Sequence, residues 1–294
     1  MSTQPAVGIV GLGLVGKALA ARLLAAGFDV TGYDLRPEAR QAFGGHAASS
    51  VREVGGKAAC VVLAVFDSKD VIEVMEGPEG LLAGGSIVRS VIDCSTGDPA
   101  KLAALSERLA RRGIAFIEGP LSGSSQQIAA GEATQLLGGE ADAIASCDPV
   151  LQALSSQRIH VGAAGSAATA KLATNLVLGL NRAALAEGMV FAESLGIAPD
   201  KFLALVLATP ARSGAAEAKG ELMVRGDFAP QSRIRQHLKD VELMLASAAQ
   251  AGQPLPLSQA HAALMRDAIA AGDGDLDNAG LIRQFRRQRR HPTE

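Results

Sequence analysis

The chain has 294 residues, of which 48% are hydrophobic and 20% charged, and its formal net charge at pH 7 is −2. This length favours two domains, and the small charge gives no electrostatic reason to expect nucleic acid or an anionic membrane as partner. The longest apolar run, residues 58–66, is too short to cross a bilayer, and no signal peptide is apparent, so we expect a cytoplasmic protein.

The first half of the chain alternates short apolar runs with helical patterns. Strands are predicted at residues 6–10, 29–33, 58–66, 87–93 and 115–118, and the helices between them include residues 15–26 and 99–112. Strands that are apolar throughout are typical of a parallel sheet covered on both faces. We therefore predict an α/β fold whose N-terminal domain, residues 1–164, is a doubly wound Rossmann sheet.

The second half is helical in character. Residues 167–195 contain no proline and only two glycines, which predicts one long interdomain helix of about 40 Å. Further helices are predicted at residues 199–207, 213–224, 232–251 and 258–271, giving an all-α C-terminal domain over residues 165–294. We interpret the basic run at residues 283–291 as a solvated, frayed terminus and not as a surface for nucleic acid.

A glycine motif lies between the first predicted strand and helix. Gly11, Gly13 and Gly16 have the GxGxxG spacing, which permits a tight turn, close approach of backbone to a pyrophosphate, and close packing of helix on strand. Asp34 ends the second strand, where a carboxylate can accept hydrogen bonds from the ribose hydroxyls of NAD. Arg36 leaves NADP open as the less favoured cofactor, and we expect it to be a surface residue or to stack on the adenine.

Five segments taken together resemble the β-hydroxyacid dehydrogenase family, which includes 3-hydroxyisobutyrate, tartronate semialdehyde and threonate dehydrogenases and, more distantly, 6-phosphogluconate dehydrogenase. They occur in unbroken order from the first strand to about residue 285: GLGLVG (11–16), VIDCSTGDP (91–99), EGPLSGSSQQIAAGEATQLLGG (118–139), GAAGSAATAKLATN (162–175) and HLKDVELMLASA (237–248). Serine at 124, glutamate at 118 and alanine at 167 depart from the family pattern. The changes at 124 and 167 touch the expected site, so they affect the expected substrate and not the expected reaction.

The resemblance implies a set of site residues. Lys171 is the expected catalytic residue. The substrate contacts it implies are Ser122, Gly123, Ser124, Asn175, Lys239 and Thr96. The cofactor contacts, from the glycine motif and the resemblance together, are Gly11, Leu12, Gly13, Leu14, Val15, Gly16, Asp34, Leu35, Arg36, Val65, Phe66, Thr96 and Lys239.

The residue chemistry agrees with this assignment. Lys171 and Asn175 are four positions apart on a predicted helix, so they share one face. Oxidation of an alcohol requires a base for the hydroxyl proton, and a lysine can serve if desolvation or a neighbouring cation such as Lys239 lowers its pKa. Ser122 and Gly123 offer donors suited to a carboxylate. We therefore predict hydride transfer between NAD and a small β-hydroxy acid, or the matching semialdehyde or keto acid.

Two alternatives stay open at this point: an imine reductase-like enzyme, and a non-catalytic NAD-binding regulatory protein. Relatives that reduce imines usually lack a lysine at the position of Lys171. The three cysteines and five histidines show no ligand spacing, so no metal is expected. The expected partner is a small carboxylate substrate, with neither nucleic acid nor membrane, and the resemblance implies a homodimer or homotetramer.

Overall fold

The computed structural model describes residues 5–289, apart from the side chain of Ser125. The chain divides into two compact units, Met1–Lys171 and Leu172–Glu294. The domain boundary after residue 164 stays a prediction. In the described part, no helix is both long and apolar enough to cross a membrane.

The first unit contains one nine-stranded sheet with helices between its strands. Its strands are β1 (Ala6–Val10), β2 (Asp29–Tyr33), β3 (His46–Ala47), β4 (Cys60–Leu63), β5 (Ser90–Asp93), β6 (Ala115–Glu118), β7 (Leu121–Ser122), β8 (Thr134–Gly138) and β9 (Arg158–Gly162). Its helices are α1 (Leu14–Ala25), α2 (Pro37–Gln41), α3 (Val51–Lys57), α4 (Ser68–Glu76), α5 (Pro99–Ala110), α6 (Ser125–Ala130), α7 (Ala141–Ser146) and α8 (Asp148–Leu154).

The Rossmann sheet is confirmed for the strands in the order β3-β2-β1-β4-β5-β6, which are parallel throughout. Successive residues of β4 and β5 belong to two separate core clusters. Val62 and Ile92 lie in one cluster, whereas Val61 and Val91 lie in the other. Both faces of these strands are buried, which explains why their sequences are apolar without alternation.

The last part of the sheet differs from the all-parallel arrangement expected. Strand β8 is antiparallel to β6 and β7, and parallel to β9. Only the six-residue helix α6 and short loops join β7 to β8, and Gly131 ends that helix with φ 77°. A connection of this length is shorter than most parallel crossovers, so the chain returns antiparallel.

The helical second half is also confirmed. The long helix α9 (Ser166–Ser194) begins in the first unit and continues into the second. It is followed by α10 (Pro199–Ala208), α11 (Gly214–Arg225), α12 (Ile234–Gln250), α13 (Pro256–Ala270), a 3₁₀ turn (Asn278–Leu281) and α14 (Ile282–Gln288). Leucine, methionine and alanine side chains from these helices form two buried clusters of the second unit.

The prediction of a frayed basic terminus is wrong for the described part of residues 283–291. Helix α14 covers most of it, and Gln284 is buried. Arg283 and Arg287 form ion pairs with Asp273 at 3.0 and 2.5 Å, and Arg286 pairs with Glu193. These two acids pair with three arginines of the run and tie α14 to other parts of the helical unit. Residues 290 and 291 lie outside the described residues.

Candidate active site

The glycine loop joins β1 to α1 and has the geometry expected of a pyrophosphate cradle. Gly11 has φ 94°, and a Cβ there would lie 2.3 Å from the carbonyl oxygen of Ala64. A Cβ on Gly16 would lie 1.8 Å from the carbonyl oxygen of Gly11, so the helix packs directly on the loop. Gly13 is the N-cap residue that precedes α1, and a Cβ there would meet nothing within 4 Å. The open side of the loop therefore lies at the helix N terminus, where a dinucleotide phosphate would fit.

The other motif residues have distinct surroundings. The backbone N–H of Leu12 donates to the Asp34 carboxylate at 2.7 Å, which ties the glycine loop to the end of β2. The side chain of Leu12 is buried, that of Leu14 is exposed, and Val15 packs against the core.

Asp34 and Arg36 form a pair that the sequence did not reveal. The Asp34 carboxylate accepts from the backbone N–H of Arg36 at 2.9 Å and from its Nε at 3.0 Å. Burial acts to raise the pKa of Asp34, but the hydrogen bonds from Arg36 and Leu12 outweigh it and hold that pKa below its ordinary value. The Arg36 side chain is exposed, as expected, but it is ion-paired. Leu35 between them is exposed.

The remaining predicted cofactor contacts of the first unit follow the ends of two further strands. Val65 follows β4, and its N–H donates to the Ser95 hydroxyl at 3.1 Å. The N–H of Ser95, after β5, donates to Asp93 at 2.9 Å. Phe66 is exposed, and Thr96 is half-buried. These residues follow the carboxyl ends of parallel strands, the edge at which doubly wound sheets bind ligands.

The predicted carboxylate-binding segment lies on β7 and the start of α6. Ser122 is half-buried and Gly123 is exposed. Ser124 caps α6: its hydroxyl accepts from the N–H of Gln127 at 3.3 Å, and its own N–H donates to the Gln127 side chain at 2.8 Å. The serine that departs from the family pattern therefore has a local structural role.

Lys171 lies in the second turn of α9, with 7% of its surface exposed. Its Nζ donates to the carbonyl oxygen of Leu121 at 2.6 Å. This contact places the ammonium group beside the backbone of the residue that precedes Ser122. The predicted catalytic lysine and the predicted carboxylate-binding segment are thus neighbours within the first unit.

Glu118 holds the start of the same helix. Its carboxylate accepts from the backbone N–H groups of Gly165, Ala167 and Ala168 at 2.6, 3.3 and 3.2 Å. Burial raises the pKa of Glu118 to about 7, and the nearby Asp93 carboxylate acts in the same direction against these donors. This capping role was missed, although an acid 53 residues before Lys171 at a strand end is the available sequence signal.

The two predicted contacts of the second unit meet at one acid. Asn175 and Lys239 are buried or nearly so, and both approach Asp240. The Asn175 Nδ2 donates to Asp240 at 3.5 Å, and the Lys239 Nζ lies 3.2 Å from the other carboxylate oxygen. The sequence around Lys239 and Asp240 does not indicate that Asn175 and Lys239 approach the same carboxylate.

Two family models match successive parts of the chain. Residues 6–162 match a family model described as the NAD binding domain of 6-phosphogluconate dehydrogenase. Residues 165–285 match one described as NAD-binding of NADP-dependent 3-hydroxyisobutyrate dehydrogenase.

Full-length relatives agree with these matches. The chain is 32% identical to L-threonate dehydrogenase of Cupriavidus necator over 95% of both chains. It is 29% identical to 2-(hydroxymethyl)glutarate dehydrogenase of Eubacterium barkeri over 82% of this chain and 81% of that protein. The crystal structure of 3-hydroxyisobutyrate dehydrogenase from Salmonella typhimurium superposes with a TM-score of 0.84 at 30% identity, covering 95% of this chain and 99% of that one. The chain therefore belongs to the β-hydroxyacid dehydrogenase family of NAD(P)-dependent oxidoreductases.

Proposed function

We propose that this protein transfers hydride between NAD and a small β-hydroxy acid, with Lys171 as general acid and base. The observation that carries the proposal is the position of the Lys171 ammonium group, which is buried and held 2.6 Å from the carbonyl oxygen of Leu121, next to Ser122 and Gly123. A buried lysine beside donors for a carboxylate suits an alcohol whose acid group lies close to the reacting carbon.

A bound NAD would supply the hydride acceptor for the alcohol carbon, and NADH the hydride donor for the carbonyl carbon. In the oxidising direction the uncharged Lys171 amine takes the hydroxyl proton, and in the reducing direction the ammonium group returns it to the carbonyl oxygen. The hydrogen bond to Leu121 fixes the amine, and Glu118 fixes the first turn of its helix. Both contacts limit the motion of the proton-transfer group.

The glycine loop and Asp34 fit the cofactor. The N–H groups at the start of α1 would hold the pyrophosphate, and Asp34 would accept from the adenosine ribose. We propose NAD over NADP because a carboxylate beside a 2′-phosphate is repulsive. We propose four further cofactor contacts: Leu35, Val65, Phe66 and Thr96.

Ser122, Gly123 and Ser124 are proposed to bind the substrate carboxylate, supported by the proximity of Lys171. A charge-assisted hydrogen bond contributes about 1.5–3 kcal/mol, so we expect the amide of the best hydroxy acid to lose roughly 10- to 150-fold in kcat/KM. Equal efficiency for the acid and its amide would contradict this assignment.

We propose additional substrate contacts at Asn175, Lys239 and Thr96. Lys239 is also proposed as a cofactor contact.

The substrate is to be identified by a screen for NAD reduction over three- and four-carbon hydroxy acids. The names of the relatives, L-threonate and 2-(hydroxymethyl)glutarate dehydrogenases, make aldonates and branched hydroxy acids the first compounds to test. We expect turnover with at least one β-hydroxy acid. Stoichiometric NAD binding without turnover on the whole panel would instead support a regulatory protein.

We also propose a homodimer or homotetramer. Several large apolar side chains of the helical unit are more than half exposed: Val177 and Phe191 of α9, Leu195 directly after it, and Leu205 of α10. Large apolar side chains in such number favour burial against a second copy. Analytical ultracentrifugation should give a mass of two or four chains, and a monomer at micromolar concentration would contradict the proposal.

A further inference from the structure

Two cysteines that are far apart in the sequence meet on one face of the sheet in the first unit. Cys60 begins β4 and is paired with Ser90, the first residue of β5, across the parallel ladder. The alternation of side chains along a strand puts Cys60 on the same face as Val62, which lies in one buried cluster with Cys147. Cys60 packs against this cluster, and Cys147 enters it from the junction of α7 and α8.

The two thiols are in direct contact. Cys60 and Cys147 share a side-chain hydrogen bond, and the Ser90 hydroxyl is within hydrogen-bonding reach of both sulfur atoms. The Ser146 hydroxyl lies 3.9 Å from the Cys147 Sγ. Neither cysteine is in a disulfide. Because the sulfur atoms of a disulfide are about 2.05 Å apart, two thiols that already touch have to approach by only about 2 Å to form one.

The surroundings of the pair favour a thiolate at Cys147. The hydrogen bond from Cys60, together with those from Ser90 and Ser146, lowers the pKa of Cys147 to about 6, although burial acts in the opposite direction. The hydrogen bond to Cys147 and burial raise the pKa of Cys60 above its ordinary value. At neutral pH the pair therefore holds one thiolate beside one thiol, and the thiolate is the form of cysteine that reacts with oxidants.

A small oxidant can approach the pair from the side of Cys60. This residue is half-buried, whereas Cys147 and the third cysteine, Cys94, are buried. Cys60 lies at the amino end of its strand, whereas the proposed cofactor contacts Val65 and Thr96 follow the carboxyl ends of β4 and β5. A bond between the sulfur atoms of Cys60 and Cys147 would therefore leave the cofactor edge of the sheet open.

We propose that Cys60 and Cys147 are a modification site that hydrogen peroxide converts to a disulfide between β4 and the junction of α7 and α8. The Cys147 thiolate attacks one oxygen of the peroxide, the O–O bond breaks, hydroxide leaves, and Cys147 becomes a sulfenic acid. The Cys60 sulfur then attacks the Cys147 sulfur, the S–O bond breaks, and the hydroxyl leaves as water with the Cys60 proton. Two thiols and one peroxide thus give one disulfide and two molecules of water.

The disulfide would act as a reversible cross-link of the first unit. It joins the start of a central strand to helices that lie far along the chain, and a cross-link that closes a long loop stabilises the folded state by restricting the unfolded chain. Thiol–disulfide exchange with a dithiol reductant restores both thiols. Oxidation at this site therefore raises the thermal stability of the protein until the disulfide is reduced.

The test treats the reduced full-length protein with hydrogen peroxide and follows its mass and its peptides. The wild type is expected to lose two hydrogen atoms per chain and to yield a peptide in which Cys60 and Cys147 are cross-linked. Cys60→Ser cannot close the disulfide, so dimedone should label the Cys147 sulfenic acid at least about ten-fold more than in the wild type. Cys94→Ser is the matched control and should form the disulfide at the wild-type rate. If a serine variant does not fold, alanine at the same position also removes the sulfur.

Oxidation of the wild type without a disulfide would overturn the proposal, as would a disulfide that involves Cys94 or that joins only separate chains. Thermal unfolding tests the consequence. The oxidised wild type should have a Tm at least about 2 °C above that of the reduced protein, and dithiothreitol should reverse the rise. The same treatment should not raise the Tm of Cys60→Ser or Cys147→Ser. An unchanged or lower Tm in the oxidised wild type would contradict the stabilising role.

Discussion

Among single residues, we expect Asp34 and Arg36 to set the preference between NAD and NADP. We predict a higher kcat/KM with NAD than with NADP, because Asp34 would repel a 2′-phosphate. Asp34→Ser removes the repulsion and releases Arg36 from its ion pair. The kcat/KM ratio of NADP to NAD should then rise by about ten-fold or more.

The double variant Asp34→Ser/Arg36→Ala is the control for this experiment. It should lose the gain for NADP, since the released guanidinium is the group expected to bind the 2′-phosphate. A wild-type enzyme that favours NADP would show that Arg36 dominates the ribose site.

Glu118 provides a pH-dependent contribution to stability. Its pKa is about 7 in the folded protein against an ordinary value of 4.5, so the folded state binds this proton more tightly than the unfolded state. The contribution to the free energy of unfolding therefore falls as the pH rises from about 4.5 to about 7, by roughly 3 kcal/mol, and is constant above that range.

Glu118→Gln removes this titration while keeping an oxygen that can accept from the start of α9. Urea unfolding at intervals between pH 5 and pH 8 should show a flatter pH dependence for the variant than for the wild type. Parallel curves for the two proteins would mean that Glu118 is ionised across the whole range.

At the level of elements, the junction of β1 and α1 contains Gly16, which the packing requires, and Gly13, which we propose contacts the cofactor. Gly16→Ala should lower the free energy of unfolding by about 1–3 kcal/mol, because the new Cβ would lie 1.8 Å from the carbonyl oxygen of Gly11. Gly13→Ala should change stability by no more than about 1 kcal/mol, since its Cβ meets no protein atom within 4 Å.

NAD binding should nevertheless weaken about ten-fold or more in Gly13→Ala, because the added methyl group would occupy the space proposed for the pyrophosphate. Thermal unfolding and calorimetric titration with NAD measure the two effects separately. Unchanged NAD affinity in Gly13→Ala would show that the phosphates lie elsewhere.

The accuracy of the sequence prediction varies between elements for physical reasons. The bounds of β1, β2 and β6 were predicted correctly, and α9 begins and ends one residue earlier than expected. Strands such as these are buried on both faces, and α9 is long, so their composition is distinctive. Strand β3 has two residues, and the three central residues of β9 are exposed. Strand β3 is too short to show a pattern, and β9 has only Ile159 and Val161 as apolar residues, both of them exposed.

For the whole molecule, the sequence identifies the residue types of the site but not their partners. The motifs gave Lys171 and Asn175 but not their contacts with Leu121 and Asp240, because those contacts join positions distant in the chain. Arg182 shows the same limit. Its position in a helix resembles that of a surface arginine, and only the structure reveals that it is buried.

The central claim is that Lys171 transfers the substrate proton in an NAD-dependent hydroxyacid dehydrogenase. The most direct test compares kcat and the Kd for NAD in the wild type, in Lys171→Met, and in Lys101→Met as an exposed lysine control. We predict that Lys171→Met lowers kcat by at least about 10²-fold with nearly unchanged NAD affinity, while Lys101→Met behaves as the wild type. A Lys171→Met variant that keeps more than about a tenth of wild-type turnover would contradict the account. Loss of a general acid–base typically lowers the rate by about 10²-fold or more.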